Sequence, residues 1–432
     1  MKPQLLIGAL HSGGGKTTVT MGILRALRRR GLRVQPFKCG PDYIDTQFHS
    51  LATGRDSVNL DTWLASDSHV QDVYAHYGAD ADVCVVEGVM GLFDGYNRKE
   101  GSSASIAQLL DIPVLLVVSA RSTAYTVAAL LHGVKTFRPG LRIAGVVFNQ
   151  VASRRHIQLL QQACDDAGLR CFGFLPASEG LKIPSRHLGL TLGQEEQMEQ
   201  WIECAADLVA PHVDLPGLLE ACTCPFQAPA PAPSPSAAGK LRIAVARDAA
   251  FSFIYRENLD RLAERGPVTF FSPLAGDPLP EADLVYLPGG YPELFARELS
   301  ARRKTMEQLH GYAEAGGRIL AECGGMIYLS SFIVCVGEGS FRMCGILPFT
   351  ATMEGARLQL GYRRLVDASG REWRGHEFHY SRLTDPAALP SAAKQYDARG
   401  EAVPTPLYRY KNVIAGYTHL YWGEADILYI WE

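Results

Sequence analysis

Lys16, Thr17 and Thr18 follow three consecutive glycines, Gly13, Gly14 and Gly15, and residues of these types in this order can hold a nucleotide triphosphate. Glycines let backbone N–H groups converge on phosphate oxygens without side-chain interference. Lys16 would bring its charge to the outer phosphates, and Thr17 would offer a hydroxyl to Mg²⁺. The glycine usual six residues before the lysine is replaced by Leu10. Carboxylates come next: Asp42 and Asp45 in K-C-G-P-D-Y-I-D-T-Q-F-H, then Glu87 and Asp94 in E-G-V-M-G-L-F-D-G. Such oxygens suit Mg²⁺, which takes few protein ligands and keeps room for phosphates and water. The same acids can instead cap helices or tighten turns. Asn149 ends an apolar run and would either read an adenine edge or cap the next helix. A second chemistry is spelled by Cys323 in A-E-C-G-G-M. A cysteine on a sharp turn before a helix is expected to carry an acidified thiol. His419, about a hundred residues later in I-A-G-Y-T-H-L-Y-W, would be its base.

These residues need strands and helices to hold them. Leu5–Ile7 reads as a buried strand, and Val19, Met21, Ile23, Leu24 and Leu27 give a helical pattern directly after Thr18. Strand, glycine turn and helix are the context that a phosphate-binding loop requires. A second strand is read at 33–37, and further apolar runs at 83–86, 112–119, 143–148 and 172–175 alternate with helical patterns, which predicts a parallel sheet covered on both faces. Asp42, Asp45 and Glu87 fall just past strand ends, the edge where open α/β sheets bind ligands. Residues 223–239 are rich in Pro, Ala and Ser and hold no charge, the composition of an extended tether. A strand restarts at 241–246, so residues 1–222 and 240–432 are expected to be separate domains. In the second, Leu284–Leu287 leads into P-G-G-Y-P-E and Ile319–Ala321 into E-C-G-G. The polar, aromatic stretch R-G-H-E-F-H-Y-S from Arg374 would line a cavity or form a solvated strand.

The net charge of -3 gives no reason to expect nucleic acid or an anionic membrane as partner. The ten cysteines show no disulfide framework or paired zinc spacing, and M-K-P-Q-L-L-I-G does not read as a signal peptide. A cytoplasmic enzyme with reduced thiols is expected.

Six stretches together resemble the cobyrinate a,c-diamide synthase family: F-K-C-G-P-D-Y-I-D-T, V-E-G-V-M-G-L-F-D-G, R-H-L-G-L from Arg186, L-P-G-G-Y-P-E-L, A-E-C-G-G-M and R-G-H-E-F-H-Y-S. The resemblance implies an α/β protein with two parts. The first is a phosphate-loop synthetase domain like dethiobiotin synthetase, and the second is a class I glutamine amidotransferase domain of the triad type. It implies ATP, glutamine and a corrin-type tetrapyrrole as small-molecule partners, with Mg²⁺ as cofactor, and it is compatible with a homodimer. Carried over, Lys16 and Thr17 hold phosphates and metal. Asp45 and Glu87 are metal carboxylates, and Asp42 and Asp94 serve the substrate or phosphoryl transfer. Asn149 reads adenine, Cys323 and His419 form the glutaminase pair, and the N–H groups of Gly290 and Gly324 form the oxyanion hole. Two positions depart from the family pattern. Ala9-Leu10-His11-Ser12 replaces the usual opening of the loop, and Tyr421 stands where triad enzymes carry glutamate, leaving Glu424 as a candidate third member. The alternative substrates are hydrogenobyrinate and nickel sirohydrochlorin. An alternative of another class is a nucleotide switch bearing an inactive glutaminase domain.

Overall fold

A computed structural model describes residues 1–98, 100–177, 181, 192–229, 239–384 and 389–432. The R-H-L-G-L stretch and most of the Pro/Ala-rich stretch lie outside the described residues. Two compact units divide the chain: one holds residues 1–62, 66–98, 100–177 and 192–229, the other 63–65, 239–384 and 389–432.

The first unit alternates strands and helices. In order they are β1 (Lys2–Ala9), α1 (Lys16–Arg29), β2 (Val34–Cys39), α2 (Ile44–Thr53), β3 (Val58–Leu60), α3 (Asp67–Gly78), β4 (Val83–Glu87), α4 (Ser103–Leu109), β5 (Val114–Ser119), α5 (Val127–Phe137), β6 (Ile143–Val151), α6 (Arg154–Ala167), β7 (Cys171–Pro176), α7 (Leu192–His212), α8 (Leu215–Ala221) and β8 (Thr223–Cys224). The sheet order is β3-β2-β4-β1-β5-β6-β7, with every pair on that path parallel. β2 and β4 are buried along their whole length; β4 accordingly runs apolar from Val83 to Val86 without alternation, whereas β2 buries Gln35 and Lys38 among its apolar residues. Parallel pairing puts the carboxyl ends of β2, β4, β1, β5 and β6 side by side at one edge. Thr223 and Cys224, expected in the tether, instead pair antiparallel with β1 and close the first unit.

The second unit contains β9 (Ile243–Ala246), α9 (Arg256–Arg265), β10 (Val268–Phe271), β11 (Leu284–Leu287), α10 (Ala296–Ala301), α11 (Arg303–Glu314), β12 (Arg318–Glu322) and α12 (Gly324–Leu329). Strands then dominate: β13 (Ser330–Cys335), β14 (Gly339–Arg342), β15 (Leu347–Thr352), β16 (Gln359–Val366), β17 (Glu372–His379), β18 (Arg382–Thr384), β19 (Lys394–Tyr396), β20 (Ala402–Val403), β21 (Tyr408–Tyr410), β22 (Val413–Gly416) and β23 (Thr418–Tyr421). A central sheet runs β10-β9-β11-β12-β22-β21, flanked by a sheet β14-β13-β15-β18 and a sheet β20-β19-β16-β17-β23. Alternate residues of the central strands feed two cores. Ala244, Val285, Ile319 and Val413 enter one, and Val245, Tyr286, Leu320 and Ile414 enter the other. The helix expected after Cys323 stops at Leu329, because Ser330 begins a strand paired with β14 and β15.

Candidate active sites

At the carboxyl edge of the first sheet lies a cavity of about 840 Å³. Gly13, Gly15, Lys16, Thr17 and Thr18 line it, with Asp42, Asp45 and Asn149. Gly15 has φ +92°, and a methyl group there would stand 1.9 Å from the Asn149 Nδ2, so only glycine lets β6 approach the loop. Asn149 does not cap α6. Ser153 does, accepting the His156 N–H, and this leaves Asn149 facing the cavity beside Gly15. Lys16 donates to the Met90 carbonyl at 3.1 Å, and burial lowers its pKa.

Thr17 donates its hydroxyl proton to Glu87 Oε1 at 2.8 Å. Glu87 is fully buried, and its other oxygen meets His49 Nε2 at 2.6 Å, while His49 Nδ1 faces Ser57 at 3.1 Å. Burial alone would raise the Glu87 pKa, but His49, Lys38 and Lys16 overcome it and hold the carboxyl down to about 2. Glu87 therefore stands as an anion behind Thr17 and does not line the cavity. Asp42 uses one oxygen to accept the N–H groups of Ile44 and Asp45 at the start of α2. Asp94 accepts the Gly91 N–H at 2.9 Å, tightening its turn, and does not line the cavity either.

Two side chains with no role in the motif reading belong to this site. Lys38, 2% exposed, sets its ammonium 3.7 Å from Asp45, 3.9 Å from Asp42 and 3.3 Å from the Gly88 carbonyl. Burial opposes that charge, but Asp42, Asp45 and Glu87 raise its pKa above the ordinary lysine value. His49 is the other. Among the described residues no three His, Cys, Asp or Glu side chains form a ready metal cage. The hydroxyl of Thr17 and the carboxylate of Asp45 are hard oxygens at the cavity wall, and that donor set fits Mg²⁺.

In the second unit Cys323 joins β12 to α12 with φ +45° and ψ -102°, a strained elbow of the sort that presents nucleophiles. The glycines after it are required by packing. A methyl group at Gly324 would lie 2.9 Å from the Gly290 nitrogen, and one at Gly325 would lie 2.1 Å from the Leu287 carbonyl oxygen. A methyl group at Gly289 would lie 2.0 Å from His419 Cε1, so the two glycine turns and the imidazole close on one another. The Cys323 sulfur stands 3.8 Å from the Phe378 carbonyl oxygen.

The expectation of an acidified thiol is overturned. Burial pushes the Cys323 pKa up, the Glu293 carboxylate adds to this, and the Gly324 N–H does not offset it. The six-residue helix behind the elbow offers too little to counter desolvation. His419 is fully buried, and burial with His376 and His379 holds its pKa down to about 3, so the imidazole is neutral. Both groups are therefore uncharged at rest. R-G-H-E-F-H-Y-S is no solvated strand. It lies in β17, pairs with β23 with His376 opposite His419, and buries Glu377 between Arg363 and His379. Glu424 falls by a separate cavity with Arg261 and Arg265. The carboxylate nearest His419 Nδ1 among the described ion pairs is Glu322, at 4.0 Å.

The two halves also match known sequences. Residues 5–190 match the CobQ/CobB/MinD/ParA nucleotide binding domain, and residues 242–427 match the CobB/CobQ-like glutamine amidotransferase domain. The hydrogenobyrinate a,c-diamide synthase of Rhizobium meliloti is 40% identical over 96% of this chain and 98% of its own. The cobyrinate a,c-diamide synthase of Listeria innocua is 39% identical over 98% of this chain and 96% of its own. The hydrogenobyrinate a,c-diamide synthase of Rhodobacter capsulatus is 42% identical over 97% and 98%. With a phosphate-loop cavity in one unit, a cysteine elbow in the other and such identity from end to end, the chain belongs to the family of cobyrinate and hydrogenobyrinate a,c-diamide synthases.

Proposed function

We propose that this protein uses ATP and glutamine to amidate the a and c side-chain carboxylates of cobyrinate, with hydrogenobyrinate as the alternative macrocycle. The observation that carries this reading is the presence of both machineries in one chain that aligns with such synthases over nearly its whole length. Cys323 attacks the glutamine δ-carbon while its proton passes to His419. The N–H groups of Gly290 and Gly324 receive the oxyanion, and ammonia leaves. In the other unit a substrate carboxylate takes the γ-phosphoryl group of ATP, because a carboxylate oxygen is a poor leaving group until it is phosphorylated. Ammonia then displaces phosphate.

Lys16 and Lys38 supply positive charge for the transferring phosphoryl group. Thr17 donates a hydrogen bond to Glu87, which leaves its oxygen lone pairs free for the cavity, and Thr17 and Asp45 are the residues that would hold Mg²⁺. Mg²⁺, when bound, would neutralise charge on the outer phosphates. Asp42 and Asp94 shape the loops on the substrate side, and Asn149 meets the adenine. The synthetase occupies residues 1–224, since β8 closes its sheet, and the glutaminase residues 240–432, with the rest of the Pro/Ala-rich stretch between them.

Incubation with cobyrinate, hydrogenobyrinate or nickel sirohydrochlorin, each with ATP and glutamine, tests the reading by mass spectrometry. The expected product is the diamide of cobyrinate. Conversion of another macrocycle in its place would move the assignment, and glutamine-independent ATP turnover with no amide formed would favour a nucleotide switch.

A further inference from the structure

We propose that Glu322 is the positioning residue that holds His419 for glutamine hydrolysis. The proposal rests on the reading of Cys323 as nucleophile and His419 as base. Glu322 is 2% exposed and precedes the nucleophile in β12. Its carboxylate is fixed by two donors: the Tyr286 hydroxyl at 2.8 Å on Oε2 and the Leu420 N–H at 3.0 Å on Oε1. Leu420 follows His419, so the second bond ties the carboxylate to the strand that carries the imidazole.

The topology makes this meeting. β12 and β22 pair in parallel with Glu322 opposite Gly416, and the chain turns through Tyr417 into β23, which brings His419 back over the end of β12. Glu322 Oε2 then lies 4.0 Å from His419 Nδ1, close enough that a small rotation of the ring completes a hydrogen bond. The residue two after His419 cannot serve. It is Tyr421, an aromatic packed edge-on against Tyr255.

Burial pushes the Glu322 carboxyl up to about 8, against the Leu420 N–H and the Tyr286 hydroxyl that favour its charge. It is the ionised form, gained as pH rises through that value, that turns Nδ1–H toward Oε2 and leaves Nε2 unprotonated. As the Cys323 sulfur bonds to the δ-carbon of glutamine, its proton moves to Nε2. The positive ring that forms in a buried site is met by the carboxylate. When the C–N bond breaks, the Nε2 proton leaves with ammonia and the ring is neutral again. Glu322 thus acts by fixing the tautomer and by balancing a charge that exists only during turnover.

The test measures glutamine hydrolysis by the full-length protein. Glu322→Gln should lower kcat by about 30-fold or more while leaving KM within about twofold, because an amide cannot hold the required tautomer. Alkylation of Cys323 by iodoacetamide, followed on its own peptide, should slow in parallel. Tyr286→Phe removes the donor to Oε2 but keeps the carboxylate and its bond from the Leu420 N–H, and should lower kcat by a smaller factor than Glu322→Gln. A Glu322→Gln variant that hydrolyses glutamine at the parent rate, or a Tyr286→Phe variant that loses as much as Glu322→Gln, would overturn the proposal. Should the amide variant not fold, Glu322→Asp withdraws the carboxylate by one methylene and must still lower kcat by about threefold or more. His419→Ala separates the two claims: if it keeps full hydrolysis, the base assignment itself fails.

Discussion

Lys38 is the residue whose loss the account ranks highest in the synthetase unit. It is a buried cation with two aspartates and a carbonyl around it, at the wall of the nucleotide cavity. Lys38→Met keeps the length of the side chain and removes the charge. Amide synthesis should fall about tenfold or more, the change that ~1.4 kcal/mol of lost transition-state contact brings. Glutamine hydrolysis should stay at the parent rate, since Lys38 lies in the other unit. Equal loss of both activities would show general damage instead.

The residue scale also carries a pH prediction. An unfolded histidine binds its proton near pH 6.5, whereas folded His419 does so near 3. Between those values the unfolded chain holds the extra proton, so stability is lost as pH falls from about 6.5 toward 3. His419→Asn should flatten that limb of a plot of melting midpoint against pH. An unchanged slope would mean that the imidazole is not buried neutral. Lys16, Thr17, Asp45 and Cys323 could be singled out in the sequence because each falls in a motif beside a strand end, and His419 because the cysteine calls for a base. Lys38 and His49 are the two ends of the K-C-G-P-D-Y-I-D-T-Q-F-H stretch, yet no role could be read for either until the fold placed their partners.

At the scale of elements, the paired glycine turns explain why so little sequence makes a nucleophile site. Gly325→Ala would drive a methyl group into the Leu287 carbonyl oxygen. Overpacking of this kind typically costs about 1–3 kcal/mol. Here it should open the elbow, so a measurable drop in melting midpoint should accompany loss of glutamine hydrolysis. A stable, fully active variant would contradict the packing argument. Strands β1, β2, β4, β5, β6, β7, β9, β11 and β12 could be read in advance, most of them because burial on both faces writes them as apolar runs, whereas β3, β10, β21 and β22 were not read. The strands from β13 to β20 were not read either, apart from β17 as one of two alternatives. They mix charge with aromatics, and the burial of Arg363, Glu377 and His379 depends on Arg363 in β16 meeting Glu377 in β17, which His379 joins from the same strand.

For the whole molecule, the central proposition is that two chemistries, each seated in its own unit, meet in one amide product. Cys323→Ala should abolish synthesis from glutamine yet retain synthesis from high ammonium, as followed by mass spectrometry of the macrocycle. Loss of both in a folded, ATP-binding protein would mean that the units do not act separately. No helix among the described residues is long and apolar enough to cross a membrane. The most direct measurement uses cobyrinate with oxygen-18 in its a and c carboxylates, together with ATP and glutamine. The account predicts ADP as the nucleotide product and one labelled oxygen passed into inorganic phosphate for each amide formed. Label recovered in AMP, or amide formed with no label in phosphate, would contradict it.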